Sequence, residues 1–211
     1  MLSAIKPTLR RATTLAALAA VPAIAFAPLA AAVPADIAFA CQGSTPLGPQ
    51  TFSLSVSTEV TAPATVAPGG ALSVVIDPGP TTVPGDVNGF SVKNVKDLKL
   101  VLPIPANSTY ASATLSGGSG AGSTAVSVQG SNLVITASGP VTGGASFELP
   151  TVTANLTAGA SGTIETKVGG TSYSDPGLTL TATVGSIIGN ITVPTACYPN
   201  PNPVITTTTI G

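Results

Sequence analysis

Thr51-Phe52-Ser53-Leu54-Ser55-Val56-Ser57-Thr58-Glu59-Val60 is the stretch that decides the fold. Phe52, Leu54 and Val56 alternate with serines, and no stripe at 3.6-residue spacing runs through them. That is the pattern of a strand with one buried face. The same period recurs outward in Leu72, Val74, Ile76 and in Leu98, Leu100, Leu102. Shorter runs of Val, Ile, Leu and Thr occupy 37–41, 126–128, 133–135, 147–149, 152–156, 164–168, 178–184 and 191–193, so about ten or eleven strands are expected.

Pro68-Gly69-Gly70, Asp77-Pro78-Gly79, Gly130-Ser131, Gly143-Gly144, Gly169-Gly170 and Asp175-Pro176-Gly177 punctuate these runs. Gly and Pro supply the dihedrals that reverse a chain, so neighbouring strands pair antiparallel across short turns. No capped helical periodicity lies between them. Stacking apolar faces then gives an all-β fold, an immunoglobulin-like antiparallel β-sandwich. One domain is expected over 33–198; two sandwiches meeting near Pro105 is the alternative.

Lys6, Arg10 and Arg11 precede an uncharged, alanine-rich run from Thr14 to Ala32. This is the charged-then-apolar order of a secretory signal, 1–32, with cleavage after Ala30-Ala31-Ala32 leaving Val33 first. An uncleaved anchor is the alternative, since a run of this length can cross a bilayer. Ala12-Thr13-Thr14 after Arg10-Arg11 lacks the bulky residues of twin-arginine export, and Ala38-Phe39-Ala40 before Cys41 is no lipid-attachment box.

An exported chain with two cysteines most simply makes one disulfide, Cys41 to Cys197, joining the first and last strands. Beyond Cys197, the run Tyr198 to Pro203 is proline-rich and extended, and 204–211 is threonine-rich. The segment 199–211 is read as a tail ending in a frayed terminus, with a stalk, a glycosylated end or an added edge strand as alternatives.

Phe39-Ala40-Cys41, Pro46-Leu47-Gly48-Pro49-Gln50 and Ala62-Pro63-Ala64-Thr65-Val66-Ala67-Pro68-Gly69-Gly70 resemble secreted actinobacterial immunoglobulin-like β-sandwich proteins of unknown function. Leu102-Pro103-Ile104-Pro105-Ala106-Asn107-Ser108-Thr109-Tyr110 is similar to a surface-immunoglobulin phrase in which a proline-bearing strand end precedes a polar hairpin. The resemblance implies a cell-envelope address and no established reaction.

The residues after 32 carry four lysines against eight acidic groups, a net charge of −4, which disfavours nucleic acid as a partner. With no histidine, His-based triads and His-ligated metals are excluded, and an oxidised cysteine pair offers no thiolate. Glu59, Glu148 and Glu165 are the carboxylates for any glycoside hydrolysis, but no spacing marks two of them as partners. Gly118-Ser119-Gly120-Ala121-Gly122 lacks the Gly-Lys pair and following helix of a phosphate loop and reads as a turn. Asp77, Asp86 and Asn88 are a fragment of a calcium loop and read as solvated turn residues. Lys93, Lys96 and Lys99 read as charges guarding an exposed edge strand; an isopeptide cross-link would need one of them buried. The Asn107, Asn155 and Asn190 sequons read as chance in a Thr-rich chain.

The expectation is therefore an exported, non-catalytic protein with no cofactor and no metal, secreted or wall-associated. It would have a structural, adhesive or scaffold role toward an envelope component or another surface protein. The alternative is a carrier of an apolar, lipid-like ligand, for which a large apolar cavity is the discriminating observation.

Overall fold

A computed structural model describes residues 31–187 and 189–211; residues 1–30 of the expected signal lie outside the described residues. The strands are β1 (Ala31–Thr45), β2 (Gly48–Ala62), β3 (Thr65–Val66), β4 (Ala71–Pro78), β5 (Thr81–Thr82), β6 (Asp86–Val87), β7 (Phe90–Pro103), β8 (Ser108–Ser116) and β9 (Thr124–Gln129). They continue as β10 (Asn132–Ala137), β11 (Val141–Thr142), β12 (Ser146–Phe147), β13 (Thr151–Ala158), β14 (Gly162–Thr166), β15 (Leu178–Ser186), β16 (Gly189–Pro199) and β17 (Thr206–Ile210). Among the described residues there is no helix.

A 12-stranded antiparallel sheet runs β8-β13-β4-β2-β1-β16-β15-β7-β10-β9, with β6 and β11 added along β7. It curls until its end strands β8 and β9 meet, so the sheet packs against itself and encloses one interior. The fold is all-β and antiparallel as expected, apart from the parallel β17–β3 pair. Side chains of Ile37, Phe39, Leu102, Leu133, Ile135, Val152 and Leu178 meet in the middle of that interior.

Cys41 and Cys197 form the expected disulfide, with both residues fully buried. They lie directly opposite each other in register on the neighbouring strands β1 and β16, so the bond runs within one sheet and not between two faces. It joins the first strand to the last strand of the large sheet.

Two expectations are corrected. The Thr-rich end is not a frayed tail: β16 extends to Pro199, and β17 is the middle strand of the small sheet β14-β17-β3. Alternation explains it, because Thr206, Thr208 and Ile210 turn inward while Thr207 and Thr209 face water. Lys93, Lys96 and Lys99 do not sit on an edge. β7 has β15 on one side and β6, β10 and β11 on the other, and its lysines project from the outer face of an interior strand.

The β14–β15 connection is a compact turn. Thr171 donates its backbone N–H to the Asp175 carbonyl (2.9 Å) and its hydroxyl to the Asp175 carboxylate (2.8 Å). At its base Gly177 lies against Gly169 so closely that a Cβ on Gly177 would collide with the Gly169 carbonyl. Gly177→Ala is expected to lose about 2–3 kcal/mol, because both colliding groups are backbone held by hydrogen bonds. A urea melt within about 0.5 kcal/mol of wild type would show that the turn relaxes freely.

Candidate functional site

The inward faces of β1, β2, β7 and β15 do not close on one another. Between them lies an apolar cavity of about 150 Å³, walled by Phe39, Phe52, Leu54, Val56, Ile76, Leu98, Leu100 and Leu180. All four phenylalanines beyond residue 33, Phe39, Phe52, Phe90 and Phe147, border it.

The cause is a mismatch in strand length. β4 pairs with β2 only over Thr58–Thr61, so the half of β2 from Gly48 to Ser57 has a strand partner on the β1 side alone. The open flank is covered by the 79–89 connection, a strap rather than a strand. It is tied to β2 through Gly79 N–H to the Ser57 carbonyl (2.8 Å) and Asn88 Nδ2 to the Thr51 carbonyl (3.1 Å). Its Thr81, Val83 and Pro84 face the cavity.

Exposure separates this space from ordinary core. Ile135, Val152 and Leu156 are 1–2% exposed, whereas Phe52, Leu54, Val56, Leu98 and Leu100 point inward yet remain half-buried. Apolar side chains thus face a space that water can enter. An apolar cavity of this size holds a molecule about as large as benzene, about six carbons.

Polar lining is sparse: Thr45, Gln50, Thr81 and Thr82 near the β1–β2 turn and the strap, Thr58 on β2, Thr195 on β16, and Thr166 and Lys167 at the β14 end. Lys167 is the one cation, and its ammonium pairs with Glu165 at 3.0 Å.

The carboxylates singled out from the sequence lie apart in the fold. Glu59 is on the outer face of β2, Glu165 on β14, and Glu148 lies between β12 and β13 in a bridge to Ser119. Asp77 accepts from the Thr151 hydroxyl (2.6 Å) across the β4–β13 pair, and Asp86 from the Gly89 N–H (2.9 Å), which fixes the local turn. Gly118, Gly120 and Gly122 have positive φ and shape the β8–β9 connection. The cavity was foreseeable in kind, and its wall residues Phe52, Leu54 and Val56 are the alternating set of β2. Its position was not, because it depends on where β4 stops.

No family model and no curated protein matches the chain. Among solved structures, it is similar to a Corynebacterium diphtheriae protein described, provisionally, as membrane anchored. The TM-score is 0.53 at 19% identity, over 86% of this chain and 38% of that one. The likeness is one of fold, and this chain spans well under half the length of that protein.

Proposed function

We propose that this chain is an exported envelope protein that holds a single-chain apolar molecule, such as an acyl or isoprenoid chain, in the cavity between β1–β2 and β7–β15. The carrying observation is the cavity itself: about 150 Å³, bordered by every phenylalanine beyond residue 33, with half-buried apolar walls. A site of this kind, apolar with few polar groups, is what a lipid-like ligand requires. Export is supported by the 1–32 segment, by the Cys41–Cys197 disulfide, which needs an oxidising compartment, and by the description of the fold neighbour as membrane anchored.

A structural or adhesive role is the second reading. A sheet closed on itself and fully strand-built favours it, but that reading gives no reason for an unfilled interior.

The test uses residues 33–211 with hexanoic acid and 1-hexanol, whose chains match a cavity with room for about six carbons. Both are expected to bind one per chain at a Kd of about 0.1–1 mM, the alcohol within tenfold of the acid because the walls carry one cation already paired. Leu54→Trp, which fills the space, should weaken both by more than about tenfold while keeping the melting temperature at or above wild type. Absence of stoichiometric binding, or unchanged binding by Leu54→Trp, would leave the structural reading.

A further inference from the structure

A second concavity lies on the outer face of the large sheet, and its lining mixes polar side chains with Leu180, Pro194 and Ala196. It is a groove of about 340 Å³ crossing β1, β16, β15 and β7, lined by the side chains of Gln42, Ser44, Asp97, Tyr173, Thr179 and Thr181. We propose that this groove binds a neutral saccharide.

Three observations carry the proposal. The first is unspent hydrogen-bonding capacity: among the described residues Gln42, Ser44, Thr179 and Thr181 make no side-chain hydrogen bond, although they converge on one concave surface. An amide, three hydroxyls and a carboxylate offer the mixed donors and acceptors that sugar hydroxyls need.

The second is an aromatic platform in a chain poor in aromatics. The described residues have three tyrosines, and two of them, Tyr173 and Tyr198, pack edge to face with ring centroids 5.1 Å apart. Tyr173 sits at the tip of the Thr171–Asp175 turn, whose hydrogen bonds hold it over the groove. Tyr198 is on the outer face of β16, next to buried Cys197, and braces it. A ring fixed in this way presents an apolar face to the C–H face of a sugar at little entropic cost.

The third is the backbone at Asp97. Its φ is +53°, uncommon for a residue other than glycine, and the β7–β15 register slips there, with Lys99 opposite Thr179 and Lys96 opposite Thr181. Such bulges re-aim side chains, and this one brings the Asp97 carboxylate to the groove. Lys96 pairs with Asp97 at 3.7 Å, and no lysine lines the groove. With a carboxylate and no cation in its lining, the groove disfavours anionic ligands and accepts polyhydroxylated neutral ones.

The chain has no tryptophan, so its intrinsic fluorescence is tyrosine emission, and of the three described emitters Tyr173 lines the groove and Tyr198 packs against it. Residues 33–211 titrated with neutral glucan, mannan, galactan and arabinan hexasaccharides should change that emission and shift the amide NMR signals of 42–44, 96–98, 171–175 and 179–181 for at least one of them. Tyr173→Ala should weaken binding by more than about tenfold. Asp97→Gly keeps the positive φ while removing the carboxylate, so it should fold as wild type and also bind more weakly. Sialyl and sulfated oligosaccharides should shift nothing. The proposal is overturned if no neutral sugar shifts these signals up to about 10 mM, where a site of 1 mM Kd is nearly full. It is equally overturned if the shifts map elsewhere, or if Tyr173→Ala and Asp97→Gly bind as wild type.

Discussion

Replacing both Cys41 and Cys197 with alanine should lower the unfolding free energy by about 3–5 kcal/mol and leave the sheet intact. The bond closes a loop of 156 residues, for which the chain-entropy model gives roughly 5 kcal/mol of unfolded-state constraint. Against a usual total of about 5–15 kcal/mol, that is a large share. The native fold does not need the bond to bring β1 and β16 together, because the two cysteines are already opposite each other in an antiparallel ladder that runs from Phe39–Pro199 to Gly43–Thr195. The variant should therefore show a wild-type far-ultraviolet spectrum and a much lower urea midpoint. With both cysteines fully buried among Phe39, Leu102 and Leu178, a reductant should reach the native bond only through global opening. A midpoint shift worth under about 1 kcal/mol would show that the unfolded chain is already compact.

Ending the chain after Pro203 should cost at least about 4 kcal/mol or prevent folding. The segment removed contains β17, which hydrogen-bonds to β14 on one side and β3 on the other. Ile210 packs with Val60, Leu72, Leu156 and Ile164 in a buried apolar cluster, and Thr208, 1% exposed, donates to the Pro63 carbonyl at 2.6 Å. Ile210→Ala alone should cost about 2–4 kcal/mol, the usual range for emptying a buried aliphatic site. A frayed terminus would make both changes nearly silent, so urea melts of the two variants separate the readings cleanly.

The legible parts of the fold were those where alternation runs unbroken. β4, β13 and β15 carry a two-residue period and were found close to their true spans, and the alternating middle of β2 was found though its ends were not. β7 was found only from Leu98 onward, because register slips near Lys93 and Asp97 put Val92, Val95 and Leu98 on the same inner face at three-residue spacing. β8 was missed for the same reason. A slip opposite Asn155 and Leu156 breaks its pattern around Ala111, and its small Ser and Ala residues carry little apolar signal. A bulge adds one residue to one strand, and a pattern read along that strand alone loses its phase.

Of the candidate sites, the sequence alone determined the disulfide and the composition of the cavity wall, since both follow from residue type and from which face a strand buries. Tertiary structure decided the rest. That β4 ends at Pro78 and leaves half of β2 facing open space is a matter of relative strand lengths, which no single strand encodes. That Gln42, Asp97, Tyr173 and Thr181 share one outer groove depends on the sheet order β1-β16-β15-β7, which brings together residues from distant parts of the chain. The chain end illustrates both halves: its Thr/Ile alternation was written in the sequence, but its burial exists only because β14 and β3 leave a strand-wide gap between them.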